Sequence, residues 1–462
     1  MTQKILGTRD VFIMSVAANL GPRWIAIAAA LGAASLMFWF LGALLFLLPF
    51  ALIVVEFATR YPEEGGIYVW VDKHLGGLSS FIVAWCYWVN NFFFYPAILT
   101  FFATSLVYAF GRPDLAKNEV FIAWTIIIAF WAIIGLTLFG VKMSKIVGAL
   151  GGVGSSLIFF LLIILGFTTF FLFHQSATPF DLQSFIPHSS ILSNLSSLSI
   201  MMFAMAGVEI IPTLANCIRN PEKVLPRALI YFAFFIFLAY VFATFAMNLV
   251  LSPSAVKETT GLVRAFELIG IKLHITGLAR FIAAFIALSE ISALMLWLLA
   301  PAIMFFKATP RGILPDFLHR ENKRGVPANA LLFQGVLVTI IILCTSLLPT
   351  VNLMYQALIL MTTIVYFIPY FFVLIAYVKF KRAGGRGTYV VPGGKAGAML
   401  MSALVFISLL FAVAMSFAPT SNLVGFKEIF MYELEIAGGP IVMILIALAL
   451  YKFRCHPKAG SR

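Results

Sequence analysis

Residues 199–227 read SIMMFAMAGVEIIPTLANCIRNPEKVLPR. The stretch begins as an apolar helix, then runs through Ala204, Met205, Ala206, Gly207 and Val208 into a carboxylate, Glu209, with Pro212 three residues later. An ionisable group at mid-membrane depth costs roughly 2.5–3.5 kcal/mol on insertion scales, so it faces a cavity or a partner. Small residues, a glycine, a glutamate and a proline side by side predict a helix interrupted halfway across a bilayer. A broken helix survives in lipid only where its freed backbone groups line a polar site. The stretch is therefore a candidate binding site. The competing reading makes Glu209 a structural carboxylate paired to a neighbouring helix.

The rest of the chain fixes the class. Its 462 residues are 62% hydrophobic and 11% charged, with a mean hydropathy of +1.04, whereas a soluble domain is about half apolar and about a quarter charged. This is the composition of a polytopic membrane protein. A net charge of +13 raises the question of a nucleic-acid partner. The basic residues are instead spread among short loops between apolar runs, the mark of membrane orientation, and no nucleic-acid partner is expected. Cys86, Cys217, Cys344 and Cys455 form no CxxC or His/Cys cluster, so free thiols, no disulfide framework, no metal and no cofactor are expected. The first apolar stretch is long and lacks a small-residue cleavage site, which predicts insertion without a cleaved signal peptide.

About 20 apolar residues cross a bilayer as a helix. That rule predicts an all-α protein with twelve spans, over 10–31, 35–59, 79–109, 120–139, 146–173, 191–218, 228–251, 276–306, 330–348, 354–379, 399–417 and 439–451. With the N-terminus inside, the inner segments hold 23 of the 31 Lys and Arg and the outer loops 6, Arg23 and Arg280 falling within spans. That bias places both termini in the cytoplasm of a multi-pass inner-membrane protein. Two non-spanning segments are expected to be ordered. Residues 64–75 predict a short interfacial helix on the cytoplasmic side, and 254–270 a helix across the outer face capped by Ser254.

The first span repeats the theme of the sixth. Ala17, Ala18, Asn19, Leu20, Gly21, Pro22 and Arg23 set a Gly-Pro pair and a charge inside an apolar run, and proline removes a helical hydrogen bond, so this helix too is expected to break. Interrupted segments at corresponding positions of two halves point to a transporter site built from inverted repeats. Coincidence is the alternative, since Pro49, Pro96, Pro301 and Pro369 also sit in spans.

Several blocks resemble the amino acid–polyamine–organocation superfamily, most closely its glutamate/γ-aminobutyrate antiporter branch. EFATRYPEEGGIYVWVDKHLG from Glu56 resembles the second-span exit and following loop. GVE and NPEKVLPRA between Phe203 and Ala228 resemble the sixth span and its loop, and PRGILPDFLHRENKRGVPANA from Pro310 the loop between spans eight and nine. VPGGK, residues 391–395, points to the branch. The resemblance implies five-plus-five inverted repeats, residues 1–173 and 191–380, with two peripheral spans in 399–454. It further implies alternating access at a central site between broken spans one and six. Glu209 matches the branch's sixth-span glutamate, Trp297 an eighth-span tryptophan, and Tyr366 and Tyr370 two tenth-span tyrosines. Asn19 stands where the branch's glutamate exchanger has a tyrosine, and Leu20 replaces a glutamate, so the substrate is not transferred with the fold. A long C-terminal plug, present in the acid-resistance exchanger, is not expected here.

An amino acid zwitterion needs an anion pole and a cation pole in a dry pocket. Half-helix N-termini present unpaired N–H groups and a partial positive charge, which assigns Asn19, Leu20 and Gly21 with Ala206, Gly207 and Val208 to the carboxylate. Freed carbonyls, with Glu209, would hold the amino group, unless Glu209 responds to protonation during transport. Arg23 either points inward, to an acidic side chain or to Glu209, or faces an outer vestibule. Trp297, Tyr366 and Tyr370 are either aromatic gates or ordinary membrane packing. Arg280 and Glu290 each need a partner on another helix, and Ser289 with Ser292 is either a pair of sodium ligands or two ordinary helix hydroxyls.

The expected function is secondary amino acid or amine transport, as an antiporter, with a proton-coupled symporter as the alternative reading. A membrane enzyme would need a clustered catalytic set, and the six histidines are dispersed. A channel would not need paired breaks, and no GxxxxGK[ST] motif supports primary pumping. Oligomeric state is not legible.

Overall fold

The computed structural model describes residues 6–63, 65–139, 141–186, 195–212, 218–308, 314–323, 326–348, 350–418 and 425–455. In lipid every backbone polar group must be paired within its own segment, and the described chain obeys this with helices throughout. α1 (Thr8–Asn19) and α2 (Arg23–Ala29) form a pair bent by 61°. α3 (Ala34–Gly42) and α4 (Leu48–Arg60) make one continuous span through a π turn at Ala43–Leu47. There follow α5 (Ile67–Leu75), α6 (Gly77–Ala109), α7 (Glu119–Thr137), α8 (Val141–Phe173) and α9 (Leu195–Ala204). The second half holds α10 (Pro221–Val250), α11 (Gly261–Lys272), α12 (Leu278–Ala308), α13 (Ala328–Thr345) and α14 (Val351–Arg382). α15 (Gly394–Ser416) and α16 (Phe426–Cys455) close the chain.

Ten of these helices are long and apolar enough to cross a membrane, and the bent α1–α2 pair makes eleven among the described residues. α9, ten residues long, is a short apolar helix that stops where the sixth span was expected to break. α6 is buried along almost its whole length and packs against α12 and α14, forming the axis of the molecule. α16 exposes most of its apolar side chains. Cys86 is a buried free thiol and Cys344 an exposed one, whereas Cys217 and the side chain of Cys455 lie outside the description.

Prolines inside spans do not all break them. α12 continues through Pro301, whose missing N–H leaves the Trp297 carbonyl without its helical donor. Tyr95 on α6 supplies the replacement, its hydroxyl donating to that carbonyl at 2.7 Å. The interfacial helix expected over 64–75 is α5, held to α14 by Lys379 Nζ donating to the His74 carbonyl at 2.7 Å. Burial, then Lys379 and Lys73, lower the His74 imidazole below its usual range.

On the α5 face, α4 and α14 are joined by a buried ion pair. Lys381 Nζ lies 2.7 Å from Glu56 Oε1, and Tyr377 donates to Glu56 Oε2 at 2.5 Å. The segment between α14 and α15 reaches the same carboxylate, Val391 N–H donating to Oε2 at 3.2 Å. Gly387 is needed there, since a Cβ would stand 2.5 Å from the Glu56 carbonyl oxygen.

The helix expected over 254–270 is corrected. Ser254 sits in a 3₁₀ turn, Pro253–Ala255, and α11 starts only at Gly261 after Thr260. The intervening residues leave the helix to bury Glu258 against the Gln356 amide. Burial pushes the Glu258 carboxyl up to about 7, against the opposing pull of that hydrogen bond.

Candidate functional site

The first-span break is closed by one hydroxyl. α1 ends on Asn19, Leu20 N–H still reaches the Val16 carbonyl at 2.8 Å, and Pro22 has no N–H to offer. Gly21 N–H donates to the Tyr240 hydroxyl at 3.2 Å, and that hydroxyl donates on to the Asn19 carbonyl at 3.0 Å. Tyr240, on α10, is held in place by a flat stack on Trp39 at 4.8 Å. Replacing Tyr240 by phenylalanine strands a buried donor and a buried acceptor, so the expected loss is about 1–3 kcal/mol of stability. Thermal unfolding of the detergent-purified protein measures it, and an unchanged Tm would mean that the break does not depend on this bridge.

The sixth-span break is sealed in the same way. α9 stops at Ala204, and Ala206 N–H turns back to the Phe203 carbonyl at 3.0 Å. Gly207 has φ +104°, a region open to glycine, and a Cβ there would stand 1.9 Å from Asn19 Oδ1. The two breaks therefore touch, backbone against side chain. Gly207 N–H donates to the Tyr370 hydroxyl at 3.0 Å, which in turn donates to Glu209 Oε2. Glu209 Oε1 accepts from Tyr366 at 2.6 Å and from Tyr87 at 2.9 Å. Three hydroxyls converge on one fully buried carboxylate, an arrangement that satisfies its lone pairs without a cation. The continuation at 213–217 lies outside the described residues.

Between the breaks lies a cavity of about 30 Å³, room for one or two waters and not for an amino acid. Asn19, Arg23, Ala206, Trp297 and Tyr366, all expected at the site, reach its wall. Leu20, Gly21, Gly207, Val208, Glu209 and Tyr370 stand behind it. Of the expected carboxylate donors, Leu20, Gly21, Ala206 and Gly207 are already engaged by protein acceptors, so the unpaired half-helix termini expected from sequence are corrected for this conformation. Tyr370 is not on the wall; its hydroxyl donates to Glu209. Trp297 meets the wall edge-on to Phe94 at 5.8 Å and points its indole N–H toward the Ala18 carbonyl.

Arg23 pairs with Glu290 on α12, Nη1 to Oε2 at 2.7 Å, and not with Glu209. Its guanidinium carbon lies 4.6 Å from the Trp24 ring centre and 5.1 Å from that of Phe94, within cation–π range. Arg280 is not on this wall; its guanidinium packs over Gly111 beside α11. Ser289 and Ser292 donate back to the Ile286 and Leu288 carbonyls of their own helix.

Sequence reasoning missed Trp24, Asn90, Phe94 and Phe203 on the wall, and Tyr87 and Tyr240 behind it. The run Tyr87-Trp88-Val89-Asn90-Asn91 in an otherwise apolar span was the available signal for two of them. A lone tyrosine at 240 carried none.

Comparison with known proteins follows the same line. The amino acid permease family matches residues 6–446. The chain is 30% identical over 449 residues to an uncharacterized transporter of Legionella pneumophila, covering 96% of each. It is 26% identical over 433 residues to a glutamate/gamma-aminobutyrate antiporter of Lactococcus lactis, covering 92% of this chain and 85% of the relative. A probable agmatine/putrescine antiporter of the same species is 26% identical over 429 residues, 92% of this chain and 90% of the relative. Among solved structures, a mutant manganese transporter of Eremococcus coleocola aligns with a TM-score of 0.59 at 11% identity, covering 96% of this chain and 93% of that one. At that identity the likeness is one of fold.

Proposed function

The chain belongs to the amino acid permease family, and on that premise we propose that it is an amino acid antiporter working by alternating access at the cavity between the first and sixth spans. It is a multi-pass membrane transporter and not an enzyme. The observation that carries the proposal is the contact of the two breaks, Asn19 against Gly207, beside the small cavity between them. In this reading residues 1–173 and 191–380 are the inverted repeats, 399–454 adds peripheral spans, and both termini are cytoplasmic at the inner membrane. Exchange is favoured by the antiporter names of relatives that align along almost the whole chain.

One observation favours proton-coupled symport as the second reading. Glu209 sits behind Tyr366 rather than on the wall, where a proton could reach it through hydroxyls without the substrate touching it. Liposomes separate the two. An antiporter takes up labelled amino acid only when preloaded with a counter-substrate, whereas equal uptake into empty liposomes under a pH gradient would replace exchange with symport.

A further inference from the structure

We propose that Arg23 receives a carboxylate of the transported molecule, with Glu290 as the positioning counter-ion that holds the guanidinium while the cavity is empty. This rests on the transport reading above and names the side chain that receives the substrate's carboxylate.

Among the described wall residues, Arg23 is the one charged side chain; the others are alanines, the amides of Asn19 and Asn90, and aromatic rings. The anion-binding role expected of the backbone is taken up in this structure, since the N–H groups of Gly21 and Gly207 are held by Tyr240 and Tyr370. Arg23 itself is only partly used. It meets Glu290 through Nη1 alone, leaving buried Nε of Arg23 and buried Oε1 of Glu290 without partners. A guanidinium is a planar fork that matches a carboxylate two bonds at a time, and a single-contact pair leaves that capacity open. The fork is also held at the right place. Its carbon lies 3.1 Å from where a Cβ on Gly21 would stand, directly over the first-span break, against the rings of Trp24 and Phe94. Glu290 is absent from the wall, so it can balance Arg23 from behind without excluding a ligand.

The carboxylate has two possible sources, the α-carboxylate or that of an acidic side chain, and four probes distinguish them. Leucine carries only an α-carboxylate, γ-aminobutyrate only a remote one, glutamate both and putrescine none. The full chain in detergent is titrated with each by thermal shift, as wild type, Arg23→Gln, Arg23→Lys, Glu290→Gln and Glu290→Asp. The double variant Arg23→Gln with Glu290→Gln is included because it removes both charges together and keeps the fold testable. The wild type is expected to bind a carboxylate-bearing probe, and both variants lacking Arg23 charge to bind it about 10- to 100-fold more weakly. Arg23→Lys keeps the charge and loses the fork, and falls between. Weakened leucine assigns the α-carboxylate; weakened γ-aminobutyrate with leucine never bound assigns the side chain. Glu290→Gln leaves Arg23 charged but unheld, so it should lower Tm and weaken carboxylate binding less than Arg23→Gln does, with Glu290→Asp restoring it; carboxylate affinity equal to the wild type in Glu290→Gln would remove Glu290 as the positioning counter-ion. Undiminished carboxylate binding by the double variant overturns the assignment of Arg23, as does a wild type that answers only to putrescine or to none of the four. A wild type that binds a carboxylate through Arg23 yet exchanges nothing sinks the antiport reading instead.

Discussion

Glu209→Gln is expected to reduce counterflow in preloaded proteoliposomes by about 100-fold or more, equivalent to roughly 2.7 kcal/mol of barrier at about 1.36 kcal/mol per tenfold. The side chain keeps its size, and its remaining oxygen can still accept from Tyr366 and Tyr87. The new amide nitrogen faces Tyr370, whose hydroxyl already accepts from Gly207 N–H and donates to the carboxylate. Two donors would then point at one oxygen, and the hydroxyl proton would have no acceptor. The seal of the sixth-span break is thereby set against the side chain beside it. The protein should remain folded, because no charge is stranded by the change. Exchange kinetics equal to the wild type would remove Glu209 from the transport cycle.

The largest effect on stability is expected at the other end of the bundle. Lys381→Met leaves the fully buried Glu56 carboxyl without its cation, with Tyr377 and the Val391 N–H as its remaining partners among the described residues. Breaking such a pair from one side costs about 3–5 kcal/mol, whereas removing both charges is often close to neutral. Thermal unfolding of Lys381→Met should therefore show a large drop in Tm, and the double variant Glu56→Gln with Lys381→Met should recover most of it. A single variant as stable as the wild type would mean that the pair contributes nothing as an ion pair.

Some of this was legible in the sequence for a definable reason. Gly-Pro beside Arg23, and Gly207 beside Glu209, violate the uniform apolarity a span requires, so the two breaks announced themselves locally. Partnerships were not legible. Arg23 and Glu290 lie on different helices far apart in the chain, and nothing near either residue encodes the other. Tyr240 and Tyr87 look like membrane aromatics until their hydroxyls are seen at a break and at a carboxylate. Ser254 had the chemistry of a cap, yet burial of Glu258 against Gln356 drew the chain out of helix first. Tertiary demand overrode local preference there.

The two hydroxyl seals also bear on how tightly anything can be held. A ligand group that takes the N–H of Gly21 or Gly207 must first displace Tyr240 or Tyr370. It therefore gains only the difference between its own bond and the one it breaks, about 1 kcal/mol when a charged acceptor replaces a neutral one. Under the proposed reading, the backbone of such a site favours loose binding and with it short residence. A carrier that must let go of its cargo on the far side is served by such a site, where each departing ligand is replaced at once by a tethered hydroxyl.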